Sequence, residues 1–417
     1  MSARNVEVIN SNDILKDACC NLSESFENSA TVDFAYSDAV SGAKEIRMLG
    51  LDGKYTQIMV ENVPSIRSLG NTFGMNYIPG LLMSSIQVNK GAGSVVNGYE
   101  SITGQINVEF KKPTSADKWL VNLFLNQDLR TEINIISATK INEKWSTLTA
   151  LNSQISLLKM DFNHDNYLDN PLVKNVNFFN RFSYASGKIF GLWTGVSVNI
   201  EDRICGSTHF DPDKNRYAQN AWGLRLRTDR VEAFAKTSFN LPDENFIGIQ
   251  YKYIFQNQYG YVGRRDYSGL EHFGYVNFIY QKNVNEQDDL IKVGASMLTD
   301  YVNEKFDSFS RVRTEVVPGI FGEMNFNFGR DKKVMLVSGL RFDYHNLYGP
   351  FVSPRVNIKW NILYDLSLRI SGGRGYRVPT LFAENFGLLA NDRQIIISPE
   401  IKYEEAWNYG AGINYKF

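Results

Sequence analysis

The chain has 417 residues and a formal net charge of −1; that length suits about two or three domains, although a large barrel runs as long in one. Bases and acids are interspersed without a long run of one sign, so the charge calls for no nucleic-acid partner, and no stretch approaches the roughly 20 apolar residues of a membrane helix. What stays open is a β architecture, because 22 Tyr, 27 Phe and 32 Gly suit strands, tight turns and the aromatic girdles of membrane barrels.

In chain order, residues 1–14 lack the apolar core of a secretory signal peptide. Residues 1–41 mix short helical and turn signals, and Asp13 reads as the N-cap of a helix over 14–20. The adjacent Cys19 and Cys20 could form a strained disulfide or offer paired thiolates to a soft metal such as Cu(I) or Zn. With no His nearby to complete a site, two small buried residues in a tight turn is the favoured reading. Val32, Phe34 and Tyr36 alternate with polar or small neighbours as a short strand. Residues 46–64 read as two strands around Asp52-Gly53, a hairpin dipeptide. Residues 65–80 are polar and glycine-punctuated, and 81–85 suggest a helical turn. Residues 86–113 then read as strand, glycine turn at Gly91 and Gly93, irregular crossing, and strand again, stopped at Pro113.

Beyond Pro113 the chain becomes a series of roughly fourteen alternating segments of about ten residues. Examples are the apolar rows Phe190, Leu192, Val196, Val198, Ile200 and Trp407, Tyr409, Ile413, Tyr415, each interleaved with polar or small residues. Alternation alone fits either a soluble sandwich or a membrane barrel; the number of repeats without intervening helices favours the barrel. Short links such as 142–144 and 187–188 alternate with long polar ones such as 159–176 and 202–216. That parity fails between 219 and 245, where one strand too many is counted and 222–228 reads as part of a loop hairpin. Cys205 falls in a polar loop, with no evident role.

Few constellations point to chemistry. Asp161, Asn163, Asp165 and Asp169 echo the start of a calcium loop, but Asn166 replaces the usual Gly and position twelve is Leu172. A solvated acidic loop is the favoured reading and a partial calcium site the alternative. The four histidines show no metal or triad spacing, and neither a nucleophile elbow nor a phosphate loop is present, so the chain does not read as an enzyme.

Several of these blocks resemble the TonB-dependent outer-membrane receptors. Ile86, Val88, Lys90, Gly91, Ser94, Gly98, Gly104, Ile106, Asn107 and Val108 match the pattern that closes the plug domain of that family. Residues 46–64 resemble its I-R-x-x-G strand and the strand after it, with Asn62-Val63-Pro64 where D-G-x-P is usual. Ser353-Pro354-Arg355, then Gly373, Gly375, Arg377, Pro379, Leu381 and Glu384, resemble late barrel motifs, and 402–410 resembles a following strand with Tyr403 where Pro is common.

The resemblance implies a mainly β fold: a transmembrane antiparallel β-barrel, incomplete in this chain, around a small α+β plug. It places the plug at 1–113 and the barrel at 114–417, each truncated at its outer end, since such barrels hold about 22 strands. It implies a monomer in the bacterial outer membrane, taking up a scarce ligand such as a siderophore–iron complex, cobalamin or another metal complex. The TonB–ExbB–ExbD energy-coupling complex and outer-membrane lipid would be its partners. Arg67, Asn71, Phe73, Asn76 and Tyr77 become candidate ligand contacts at the plug apex, and Arg47 and Glu404 a plug–barrel ion pair. A non-transporting surface β-protein, an adhesin or glycan-binding module, is the alternative.

Overall fold

The computed structural model describes all residues except 1, 2, 17–20, 28, 30, 39, 40, 188, 219, 285–288, 330, 331, 391–394, 399, 416 and 417; Cys19 and Cys20 lie outside the described residues. The N-terminal part begins with β1 (Val6–Asn10) and α1 (Ser11–Lys16). Asn10, not Asp13, caps this helix. Its side chain accepts from the Asn12 and Asp13 amides at 3.0 and 3.3 Å, and Asp13 accepts from the Asn10 amide at 3.3 Å, a reciprocal capping arrangement.

Strands β2 (Asp33–Tyr36), β3 (Lys44–Met48) and β4 (Leu51–Asp52) form a small antiparallel sheet. The β3–β4 turn falls at Leu49-Gly50, with φ of 57° and 76°, and Asp52-Gly53 instead leads into a 3-10 turn. Strands β5 (Thr56–Val60), β6 (Val63–Ile66), β7 (Met83–Lys90) and β8 (Gly104–Phe110) join β1 in a five-stranded sheet ordered β1-β7-β8-β5-β6. Only β5 and β8 run parallel. The β7–β8 pair is the glycine-punctuated hairpin expected from sequence, and its core residues Ile86, Val88, Ile106 and Val108 are fully enclosed.

The rest is one antiparallel meander of fourteen strands. In order these are β9 (Trp119–Leu125), β10 (Thr131–Lys140), β11 (Trp145–Ser156), β12 (Leu172–Ser186), β13 (Phe190–Gly206), β14 (Gly223–Asn240) and β15 (Phe246–Val262). There follow β16 (Arg265–Asn283), β17 (Leu290–Phe306), β18 (Phe309–Phe328), β19 (Val334–His345), β20 (Gly349–Asn361), β21 (Leu366–Arg377) and β22 (Glu404–Tyr415). The sheet curls around the N-terminal part without closing, and β9 and β22 remain its two edges. One rim carries only short turns, while the other carries the long segments 157–171, 207–222 and 378–403.

β14 is a single strand of 18 residues, which restores the up-down parity; no separate hairpin exists at 222–228. The confusion has a physical cause. At the start of β14 the polarity inverts, with Leu224 and Leu226 buried inside while Arg225 and Arg227 face out. Over most of the meander the inward face is polar and the outward face apolar. Glu315 and Asp343 are 0% exposed, whereas Ile320 and Leu340 are 62% and 56% exposed. That is the inverse of a water-soluble sandwich and the arrangement of a lipid-facing barrel.

Candidate functional site

The functional geometry lies along the seam between the N-terminal unit and the wall. Near the long-loop rim, β6 leads directly into Arg67, which is 6% exposed. Its Nη2 sits 2.8 Å from Glu315, 3.1 Å from Glu100 and 3.5 Å from Asp300. Ser68, at φ 45°, turns its hydroxyl to donate to Asp300 at 2.7 Å, and the Leu69 amide donates to Glu271 at 3.2 Å. Arg313 closes the group from the wall, donating to Ser68 Oγ at 3.1 Å. Burial would lower the Arg67 pKa, but the facing carboxylates of Glu100, Asp300 and Glu315 raise it well above its ordinary value.

A second stretch of seam joins blocks that are distant in sequence. Arg355 Nη1 donates to the Ser94 carbonyl at 2.5 Å and its Nη2 to the carbonyls of Gly98 and Tyr99 at 3.2 and 3.3 Å. Asn357 donates to the Ala92 carbonyl at 2.9 Å. Gly373, Gly375 and Arg377 share the inward face of β21. A Cβ at Gly373 would lie 3.0 Å from Ala92 Cβ, and one at Gly375 only 2.3 Å from the Ser101 carbonyl oxygen. The Tyr376 amide then donates to the Tyr99 carbonyl at 3.2 Å. Arg377 pairs with both Glu404 and Glu384.

Across the opposite wall runs a belt of asparagines. Asn122, Asn134, Asn152, Asn177 and Asn199 are successive cross-strand partners on β9 to β13. Each donates to the last, at 3.4, 2.8, 3.1 and 2.6 Å. The same level continues through Arg230, Gln256 and Glu271. Beside it lies a cavity of about 50 Å³ with Ile66, Tyr77 and Ile78 opposite the belt.

One boundary of that cavity is a charged cluster. Glu61, in the β5–β6 turn, receives Arg181 at 2.7 Å, Lys112 at 2.7 Å and Lys236 at 3.5 Å. Lys236 also donates to the Glu61 carbonyl. Burial would raise the Glu61 carboxyl, but Arg181, Lys236 and Lys112 hold it down at about 2. A depressed carboxyl stabilises the folded state fully above its ordinary value of 4.5 and loses that contribution as pH falls toward 2. A shift of this size is worth about 3 kcal/mol. The protection factor of the Phe110 amide, which donates to Glu61 at 3.0 Å, is expected to fall below pH 4.5. Substituting Glu61→Gln should remove that acid dependence.

Comparison with known proteins fits this geometry. Residues 1–105 match the family model described as the TonB-dependent receptor plug domain, and 94–417 match that of the TonB-dependent receptor-like β-barrel. The chain belongs to the TonB-dependent receptor family. No curated protein matches it in sequence. Among solved structures it resembles a Pseudomonas aeruginosa FpvA–pyoverdine–iron complex at TM-score 0.77 and 14% identity, covering 100% of this chain and 61% of that one. It also resembles the Pseudomonas aeruginosa ferric enterobactin receptor PfeA, at TM-score 0.73 and 15% identity, with coverages of 90% and 62%. For the siderophore receptor PirA of the same organism the figures are 0.61, 16%, 92% and 64%. The chain thus spans about three fifths of the length of these structures, and at such identities the likeness is one of fold.

Within this receptor fold the sequence-derived site residues scatter. Arg47 and Glu404 do not meet. Arg47 lies on the exposed face of β3 between buried Ile46 and Met48 and pairs with Glu45 at 2.7 Å, while Glu404 pairs with Arg377 at 2.5 Å. The plug arginine buried against wall carboxylates is Arg67, and Arg4 makes a second, more exposed plug–wall pair with Glu323 at 2.6 Å. Of the five apex candidates, Arg67, Phe73 and Tyr77 are enclosed rather than open to a ligand. Phe73 packs edge-on against Phe386 with Arg203 over its ring at 4.7 Å, and the Tyr77 hydroxyl reaches Thr228 at 3.5 Å. Asn76 is partly exposed and accepts from Ser23 at 3.1 Å. Asn71 donates to Glu384 at 3.0 Å and borders a cleft of about 320 Å³ between the plug and residues 384–388.

Two further expectations meet different outcomes. Asp161, Asn163, Asp165 and Asp169 do share one loop, but their side-chain oxygens accept from the loop's own amides, such as those of Asp165, Asn166 and Phe162. Cys205 is not in a loop; it lies near the end of β13, is 1% exposed, and donates to the Ser41 carbonyl of the plug at 3.4 Å.

Proposed function

We propose that this chain forms the plug and wall of a bacterial outer-membrane receptor for the energy-driven uptake of a scarce small molecule. A metal complex of the siderophore class is the favoured cargo, since the similar structures are described as a ferric enterobactin receptor, FpvA in a pyoverdine–iron complex and a siderophore receptor. The observation that supports the reading best is the size mismatch between cleft and cavity. The cleft at the long-loop rim, about 320 Å³, can seat a small molecule, whereas the cavity beside the plug, about 50 Å³, admits little more than water. Cargo therefore passes only when the plug moves. Breaking buried ion pairs at Arg67 and Glu61 requires work, which the TonB–ExbB–ExbD complex would deliver by pulling on the plug from the short-turn side.

The test is uptake of radioiron-loaded siderophores by iron-starved cells carrying the complete reading frame. Accumulation should depend on this protein and should vanish with a proton uncoupler or without TonB. Accumulation that persists without TonB, or recovery of the protein in the soluble fraction, would overturn the reading.

A further inference from the structure

On the reading just given, cargo must slide past the plug, and the wall shows where. The cavity lies between the plug sheet and β10 to β15, with the asparagine belt on one side and the Glu61 cluster at a boundary. The ownership of the charges in that cluster is unequal. Glu61 belongs to the plug, whereas Arg181 and Lys236 belong to wall strands β12 and β14. Among the described residues, both of these wall cations form their ion pairs with Glu61. Arg181 is 1% exposed, and its Nε is a buried donor without a partner. Trp193 on β13 lies beneath both, with Arg181 at 5.7 Å and Lys236 at 6.0 Å from its ring.

A plug that withdraws takes its carboxylate along and leaves the two wall cations behind. Two wall cations without a counter-charge then face the opened passage, and whatever anion next enters it is drawn to them. We propose that Arg181 and Lys236, backed by Trp193, form a latent anion-binding site on the barrel wall, which the plug's own Glu61 fills at rest and an anionic, oxygen-rich cargo fills during passage. Glu61 is thus a built-in mimic of the ligand. The neutral asparagine belt suits the same passage, because its amides offer donors and acceptors to a polar cargo without a fixed charge that would trap it.

The site can be exposed without knowing the cargo. In purified full-length receptor, formate serves as an anionic oxygen-donor probe no larger than the carboxylate it replaces, with thermal unfolding followed at constant ionic strength. Wild type should show no saturable response. Glu61→Ala, which vacates the place of the carboxylate, should gain a saturable rise of about 2–4 °C, lost again when Arg181→Gln and Lys236→Gln are added. If the Glu61→Ala chain does not assemble, Glu61→Gly vacates the same place at a backbone φ of 57° that suits glycine, and the same rise is expected. A flat response in whichever variant assembles, or one that survives removal of both wall cations, overturns the proposal. Because the readout is binding and not uptake, failure here leaves the importer reading standing, and failed uptake leaves this site to stand by itself.

Discussion

Substituting Arg67→Ala should loosen the plug by about 3–5 kcal/mol, the range for removing one partner of a buried ion pair. The loss strands Glu315 and Asp300, both 0% exposed at the side chain, and Glu100 at 16%. Three carboxylates then face one another with Arg313 as the nearest remaining counter-charge. Burial already pushes the Glu100 carboxyl up, so part of the cost is relieved by proton uptake, and the defect should shrink at acid pH. Arg67→Lys should be intermediate, since an ammonium keeps the charge but not the planar fork. The matching control is Arg47→Ala. That side chain is 49% exposed and pairs, among the described residues, with Glu45, so the expected change is within about 0.5 kcal/mol. Protection of residues 67–76 against hydrogen exchange reads both; equal losses in the two variants would refute the assignment of the anchor to Arg67.

That contrast also marks what was legible in the sequence. Alternation along each strand identified the apolar rows and a count of roughly fourteen strands, apart from the extra one read between 219 and 245, because side-chain period is a local property; which face turns outward was not decided by alternation. The plug hairpin at β7–β8 was legible for the same reason, with glycines where the chain must turn. Register is not local. Asn122, Asn134, Asn152, Asn177 and Asn199 are ordinary inward polar residues when read singly, and they become a belt only when five strands align. Arg47 and Arg67 differ in the same way. Both stand near strand ends in plausible motifs, but burial by a wall more than 200 residues downstream decides which one forms the anchor. The turn at Leu49-Gly50 was missed because a Leu at φ 57° has no propensity signal, whereas Asp52-Gly53 carries a strong one. The late motif glycines had a recognisable spacing but no visible purpose until the plug backbone was found against them.

Gly375 carries the second large prediction. It stands on β21 where wall and plug meet backbone to backbone, and a Cβ there would lie 2.3 Å from the Ser101 oxygen, 2.7 Å from its carbonyl carbon and 3.0 Å from the Ile102 nitrogen. No rotamer change relieves a clash with main chain. Gly375→Val therefore forces residues 99–102 off the wall, and with them the Tyr376–Tyr99 hydrogen bond and the grip of Arg355 on the Gly98 and Tyr99 carbonyls. Overpacking of this kind costs about 1–3 kcal/mol or more before those bonds are counted. The strands themselves keep their pairing, since Gly375 meets Ala406 of β22 within the sheet. The expected phenotype is an assembled barrel with a leaking plug, seen as raised ion conductance of the full receptor in planar bilayers. Gly412→Val on β22 is the control, because nothing lies within 4 Å of a Cβ there, and its conductance should match wild type. If Gly375→Val proves as tight as Gly412→Val, the close approach at β21 is not what seals the plug, and the seal must rest on plug–wall ion pairs such as those of Arg67 and Glu61.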